Sequence, residues 1–200
     1  PESLLPLRVG EPQARELMRA WYRRLCFAPG GFGSKALTDT VKGVYVPYWT
    51  FDAQADADWS AEAGHYYYVP VNNKQERRTR WAPASGSLSH SFDDELVPAS
   101  RGVDPGLLRG VEPFPTQALV PYDPGYLAGW LVERYQIDLV AAAQQSRQRM
   151  DAKLRAMCSA AVPGDTQRNL EVRARYSGLT FKQILAPLWL VAYTYRGRAY

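Results

Sequence analysis

The sequence predicts an α+β fold: antiparallel, aromatic-rich β-sheets with an N-terminal amphipathic helix and a long C-terminal helix. Three observations predict it. Apolar residues recur at every second position through Val44–Asp52 and Leu170–Tyr176, the period of a strand. In two other stretches they recur at spacings of three and four, the period of a helix. The chain of 200 residues also holds 13 Tyr, 6 Trp and 15 Pro, a mix suited to half-buried pleated surfaces joined by tight turns.

Ser3–Val9 is a short apolar run that stops at Gly10. A helix follows over 12–25. Pro12 suits its first turn, where a missing N–H costs nothing, and Ala14, Leu17, Met18, Trp21 and Leu25 share one face. The glycine-rich Ala28–Gly33 ends it. A β-meander is expected over 41–98. Its first strand is apolar on both faces at Val44–Phe51 and thins to Ala/Asp alternation toward Ser60, as where a strand runs out to solvent. Pro47 cannot donate to a ladder and should sit at an edge or bulge. Turns are expected at Ala63-Gly64 and at Asn72-Asn73-Lys74, and a break at Ala82–Gly86. Asp104-Pro105 and Asp123-Pro124 both read as cap-and-proline turns. Trp130–Asp138 alternates like a strand, with a helix as the other reading. The long helix covers 139–161, with Leu139, Ala143, Met150, Leu154, Met157 and Ala161 inward and Pro163-Gly164 as its stop. A β-hairpin over 169–200, turning at Ser177-Gly178, completes the chain.

Two of the strands look alike. Val44-Tyr45-Val46-Pro47-Tyr48-Trp49 and Ile184-Leu185-Ala186-Pro187-Leu188-Trp189 each place a proline two residues before a tryptophan. Leu4-Leu5-Pro6-Leu7 would then match Leu119-Val120-Pro121-Tyr122. The recurrence reads as an internal duplication, or as coincidence in a chain rich in both residues. The corresponding halves are 1–116 and 117–200, or the two form one continuous domain. The two indoles should lie in a shared core. The chain opens on Pro1 without an initiator Met and closes on a strand-like Tyr193–Tyr200, and is read as a piece of a longer protein.

Composition narrows the chemistry. Twenty-four Lys and Arg against 20 Asp and Glu is too mild a balance to imply nucleic acid alone. Cys26, His65, His90 and Cys158 are too scattered to make a structural zinc site, and two isolated cysteines suit a reducing, cytoplasmic setting. No apolar run approaches the roughly 18 residues of a membrane span. Pro29–Lys35 has glycines, a hydroxyl and a lysine but not the phosphate-loop spacing. Asp52, Asp56 and Asp58 share a strand face, and Asp93, Asp94 and Glu95 form a second acidic group. Paired carboxylates can perform acid–base work or hold a divalent ion; charges on a strand edge also deter aggregation. No catalytic, cofactor or metal residue is assigned. The candidate interaction surface is basic and aromatic: Tyr66, Tyr67, Tyr68, Lys74, Arg77, Arg78, Arg80 and Trp81. Such a set can contact a protein, track a nucleic-acid backbone, or form an ordinary cross-strand ladder.

Several ordered segments carry a family resemblance. They are Lys42–Ala53, Arg80–Gly86, Phe92–Ser100, Val120-Pro121-Tyr122, Tyr126–Gly129, Gly164–Arg168 and Thr180–Trp189. Together they resemble the region that follows the zinc ribbons in bacterial zinc-ribbon proteins often labelled primosomal protein N′ or replication-factor-Y-like. In that family the zinc is held by upstream CxxC ribbons whose cysteines are absent here, so no cofactor is expected in this segment. No Walker A or Asp-Glu-x-His box supports a helicase. The resemblance implies a non-catalytic interaction or scaffold domain, with a protein partner that includes membrane-associated band-7-type scaffold proteins, and hence a cytoplasmic or membrane-peripheral place. The alternative function is a replication-associated nucleic-acid accessory module.

Overall fold

A computed structural model describes residues 1–23, 41–72, 74–191, 194–195 and 198–199. The expected readings at Cys26 and at the glycine-rich loop, and the end of the first helix beyond residue 23, lie outside the described residues. The chain is a mixed α/β protein. In order it forms β1 (Ser3–Leu4), α1 (Glu11–Arg23), β2 (Val41–Val71), β3 (Lys74–Pro98), α2 (Pro105–Val111), β4 (Val120–Pro121), β5 (Leu131–Val132), α3 (Leu139–Ala161), β6 (Thr166–Val191), β7 (Thr194–Tyr195) and β8 (Arg198–Ala199). Six strands make one sheet in the order β3-β2-β6-β1-β4, with β5 also on β2; β7 and β8 pair separately. The expectation of purely antiparallel sheets needs correction, because β1 runs parallel to β6 and β5 parallel to β2. The long helix over Leu139–Ala161 is internal, since a 26-residue strand follows it.

Two compact units share the chain, and neither is a sequential half. One takes Pro1–Thr50, Leu96–Ala142 and Lys182–Tyr200; the other takes Phe51–Glu95 and Ala143–Phe181. The halves 1–116 and 117–200 therefore do not mark the units.

The first unit contains both Pro-x-Trp segments. Leu5, Val44, Val46, Tyr48, Leu96, Val103, Leu108, Ile184 and Ala186 pack on one side, and Leu4, Tyr45 and Leu185 on the other. Here both faces of β2 are buried, as the run of apolar residues predicts. A reciprocal pattern links the segments. Ser3 and Leu4 lie beside Ile184 and Leu185, while Leu131 and Val132 lie beside Val44 and Tyr45. Leu5 N donates to Leu185 O and Glu133 N to Tyr45 O, both at 2.9 Å. Trp189 Nε1 donates to Val9 O and Trp49 Nε1 to Ile137 O, again both at 2.9 Å. Val9 and Ile137 each stand two residues before a helix. Ala14 N bonds Gly10 O and Ala142 N bonds Asp138 O in the first turns of those helices, and both alanines are buried. One constant shift in residue number relates all the β1–α1 positions to the β5–α3 positions. The structural counterpart of β1 is therefore β5, not the Leu119–Tyr122 stretch. That stretch instead pairs antiparallel with β1. Trp49 is buried, whereas Trp189 is half-buried and edge-on to Trp130 at 5.2 Å.

In the second unit the meander reduces to one long hairpin. Gly64 lies inside β2 and Ala82–Gly86 inside β3, where turns or breaks were expected. The glycines make room for cross-strand indoles: a Cβ on Gly64 would sit 2.8 Å from Trp81, and one on Gly86 2.7 Å from Trp59. Phe51, Ala53, Ala55, Ala57, Trp59, Ala61 and Ala63 are all buried, so the Ala/Asp stretch runs under cover and not out to solvent. What covers it is α3. Lys153 pairs with Glu95 of β3, while Arg155 donates to Leu170 O and Asp151 accepts from Tyr176 Oη of β6. A helix touching both flanking strands must cross the strand between them. Its buried line is Ala142, Ser146, Met150, Leu154 and Cys158, an i, i+4 row inclined to the axis, and only Met150 and Leu154 belong to the expected face.

Three residues with left-handed backbone shift the side-chain alternation: Asp94 (φ 53°) in β3, Asn169 (φ 53°) and Gly178 (φ 61°) in β6. Phe92 and Glu95 both face the helix side, as do Tyr176 and Phe181, through contacts with Tyr176, Lys153, Asp151 and Phe51 respectively. Across each pair one residue is extra, the signature of a β-bulge. Ser177-Gly178 is thus a bulge and not a hairpin turn.

Candidate functional site

The candidate residues sit at the closed end of the β2–β3 hairpin in the second unit. Ser89 Oγ donates to Asp56, Gly86 lies against Trp59, and Trp81 against Gly64. These contacts fix one antiparallel register for the whole hairpin, and Asn72 (φ 48°) stands at its turn. On the other side of β2, Asp58 meets Arg175 and Glu62 meets Arg168, so β6 runs antiparallel to it. That pairing ends where Asp165 N donates to Gly64 O and Asp165 Oδ2 accepts from Tyr66 N at 2.8 Å. Beyond Tyr66 the hairpin continues as a two-stranded ribbon with both faces open.

The register divides the eight candidates. Side chains alternate along a strand, so Tyr66, Tyr68, Arg77 and Trp81 fall on one face. Tyr67, Lys74, Arg78 and Arg80 fall on the other. The structure therefore brings them together as two small faces of a ribbon, not one patch. Each face carries a stacked pair: the Arg77 guanidinium lies 4.4 Å from the Tyr66 ring, and that of Arg80 5.6 Å from Tyr67. Arg78 reaches Glu76 at 3.6 Å. Tyr68, 59% exposed, is the most open ring. Two-stranded ribbons are marginal on their own, and cation–π contacts at exposed sites contribute about 0.5–1 kcal/mol each, so part of this set holds the ribbon itself.

Arg168 anchors the base of the ribbon. Its guanidinium covers the Trp81 ring at 4.2 Å and grips Glu62 through two bonds of 2.8 and 3.0 Å. Asn169 Nδ2 adds a third donor at 2.6 Å. Arg168 holds the Glu62 carboxyl below the usual range, chiefly through those bonds. Sequence reasoning missed Arg168; its bulge at Asn169 carries no strong local signal.

The acidic groups come together in an unexpected combination. Asp52 meets Asp93 and Asp94, their oxygens within 4.8 Å of one another, whereas Asp56 and Asp58 lie further along β2. Asp52 Oδ1 accepts from Asp94 N and Oδ2 from Thr180 Oγ1. One oxygen thus braces the bulged backbone of β3, and the other holds the Thr180 side chain of β6. Asp56 is bonded to Ser89, Asp58 to Arg175, and Glu95 to Lys153. His65 lies by Gly164 and His90 edge-on to Phe92, while Cys158 is buried on the inner face of α3, its thiol pushed up by burial.

No described helix is long and apolar enough to cross a membrane. No family model matches the chain, and no solved structure matches it. Among curated proteins, the uncharacterized protein YdjG of Bacillus subtilis (strain 168) is 20% identical over 196 residues, 98% of this chain and 58% of YdjG. The chain thus spans about 58% of the length of the curated relative it matches.

Proposed function

We propose that this chain is a non-catalytic interaction domain on an internally duplicated frame, within a larger zinc-ribbon-type protein, and that its projecting ribbon docks a protein partner. The observation that carries the reading is the ribbon beyond Tyr66, with Tyr67 and Tyr68 at 40% and 59% exposure among arginines. Tyr and Arg are the side chains that dominate protein interfaces. The acids are committed elsewhere: Asp52, Asp56, Asp58, Glu62 and Glu95 each brace backbone or pair with a neighbour, which supports a structural use for them. Any zinc would belong to upstream ribbons, and a membrane-associated scaffold protein is the partner type that the resemblance suggests, in or at the edge of the cytoplasm.

A photo-crosslinking residue at Tyr68, compared with one at the exposed Gln144 of α3, tests this in the full-length protein in cells. One defined protein adduct from position 68 alone is expected, and it should disappear with Tyr67→Ser. Equal labelling from both positions overturns the reading. The nucleic-acid alternative predicts binding to single- or double-stranded oligonucleotides that weakens linearly with log salt.

A further inference from the structure

Ala99 plugs a notch beside the first Pro-x-Trp strand. Pro47 has no N–H to continue a ladder, and Ala99 enters between it and the Glu133–Ile137 stretch. Ala99 N donates to Pro47 O at 2.8 Å, and Ala99 O accepts from Gln136 N and Ile137 N at 2.7 and 3.1 Å. Val97, Pro98, Ala99 and Ser100 are all buried. One inserted residue thus satisfies three backbone groups that burial would otherwise strand.

The second Pro-x-Trp strand carries the same notch. The shift that carries Ile137 to Val9 carries Gln136 to Arg8, and the shift that carries Trp49 to Trp189 carries Pro47 to Pro187. Tyr45 O and Pro47 O bond to the same edge of β2, and Leu185 O bonds Leu5 N, so Pro187 O aims at the matching edge of β6. Among the described residues no backbone bond reaches Arg8 N, Val9 N or Pro187 O there. Where the plug would sit is a cavity of about 230 Å³, with Leu5, Leu7, Arg8, Phe114, Pro187 and Trp189 in its wall. Pro187 and Trp189 are half-buried, whereas Pro47 and Trp49 are buried.

Two positions in the walls differ, and they define what fits. Around the plug, Ser100 Oγ donates to Glu133 Oε2 and Arg101 N to Gln136 Oε1. Leu5 and Arg8 hold those two places in the second notch. Arg8 is exposed and pairs with no described carboxylate. A guanidinium there repels an N–H and favours a carboxylate.

We propose that this second notch docks an extended segment of a partner protein, with a small residue plugged in as Ala99 is and an acidic residue two positions later against Arg8. Main-chain bonds supply the affinity, and the notch and Arg8 the specificity. The notch belongs wholly to the first unit and the ribbon to the second, so the two docking sites stand or fall separately.

Fluorescently labelled, end-blocked peptides of residues 96–101, titrated into the 200-residue chain and followed by anisotropy, test this. The peptide carrying Arg101→Glu should bind at least about tenfold more tightly than the unaltered one. Adding Ala99→Trp to that peptide should abolish binding. On the protein, Arg8→Glu should reverse the preference between the first two peptides with an unchanged far-UV spectrum, because Arg8 is exposed. Should Arg8→Glu disturb the fold, the Ala99→Trp contrast decides alone. No binding of the Arg101→Glu peptide up to about 1 mM, the result expected if this chain's own residues fill the notch, overturns the proposal. So does a preference unmoved by Arg8→Glu in a folded protein, or equal binding of the Ala99→Trp peptide.

Discussion

Replacing Trp49 should reveal how much the reciprocal frame of the first unit depends on its indoles. Trp49 is 7% exposed, edge-on to Tyr135 at 5.9 Å, and donates to Ile137 O at 2.9 Å. Trp49→Ala removes most of a buried aromatic surface and leaves a cavity, which costs about 3–5 kcal/mol. Trp49→Phe keeps an aromatic ring but strands the Ile137 carbonyl, which costs about 1–2 kcal/mol. Trp189 makes the same bond to Val9 O, so Trp189→Phe should lose the same amount to within about 0.5 kcal/mol. Trp189→Ala should cost less than Trp49→Ala, because Trp189 is only half-buried. Urea titration followed by far-UV circular dichroism reads these differences directly. In a thermal scan Trp49→Ala should lower Tm by about 10 °C for a chain of this size. The reasoning fails if Trp49→Ala costs under about 1 kcal/mol, or if the two Phe variants differ by more than about 1 kcal/mol.

Gly64→Ala should destabilise by about 1–3 kcal/mol, since its Cβ would meet Thr166, Thr79 and Trp81 at 2.6–2.8 Å; near-ultraviolet circular dichroism should register the displaced Trp81 as well. Tyr45, Tyr135 and Tyr176 are all raised above the ordinary phenol value of 10.0, first by burial, with Asp151 adding to Tyr176. Their contribution to stability is whole below that value and drains as pH climbs from it toward the raised folded values. A spectrophotometric titration should therefore find these three phenols ionising late, and Tyr176→Phe should flatten the alkaline loss of stability. Cys158 is buried with a raised thiol, so a thiol reagent should modify it only on the timescale of unfolding; labelling within seconds in the native state would contradict its placement on the inner face of α3.

How much of this was legible in the sequence depended on whether the cause was local. The period-two run through Val44–Asp52 announced a strand buried on both faces, and the spacing over 139–161 announced the helix, because periodicity is written in neighbouring residues. Glycine was the main source of error. Its conformational freedom makes it read as a turn, yet Gly64 and Gly86 are there for the volume of Trp81 and Trp59, partners supplied by another strand. The reading available was that glycine inside a strand marks a close approach, and a tryptophan-rich chain offers many bodies to approach. The Asp52–Asp93–Asp94 group and the Arg168 clamp were illegible for the same reason: register and bulges assembled them. The tyrosine and arginine candidates were named correctly as neighbours, but their division between two faces had to await the turn position.

The reciprocal bonds bear on whether the two Pro-x-Trp strands recur by coincidence. A chance resemblance of sequence would leave their surroundings unrelated. Here one constant shift for the short strand and helix, and a second for the long strand, together relate a parallel strand pairing, a backbone bond, an indole bond and the first turn of a helix. Each half lends its short strand and its pre-helix carbonyl to the long strand of the other, so neither half can satisfy its own tryptophan. That exchange predicts obligate complementation. Chains 1–116 and 117–200, expressed apart, should each lack a cooperative unfolding transition, because each compact unit draws on both. Mixed in equal amounts they should recover one, with the Trp49 emission shifting to the blue as its indole is buried. A cooperative transition in either fragment alone would mean that its half closes on itself, and the reciprocal bonds would then be a consequence of folding and not a condition for it.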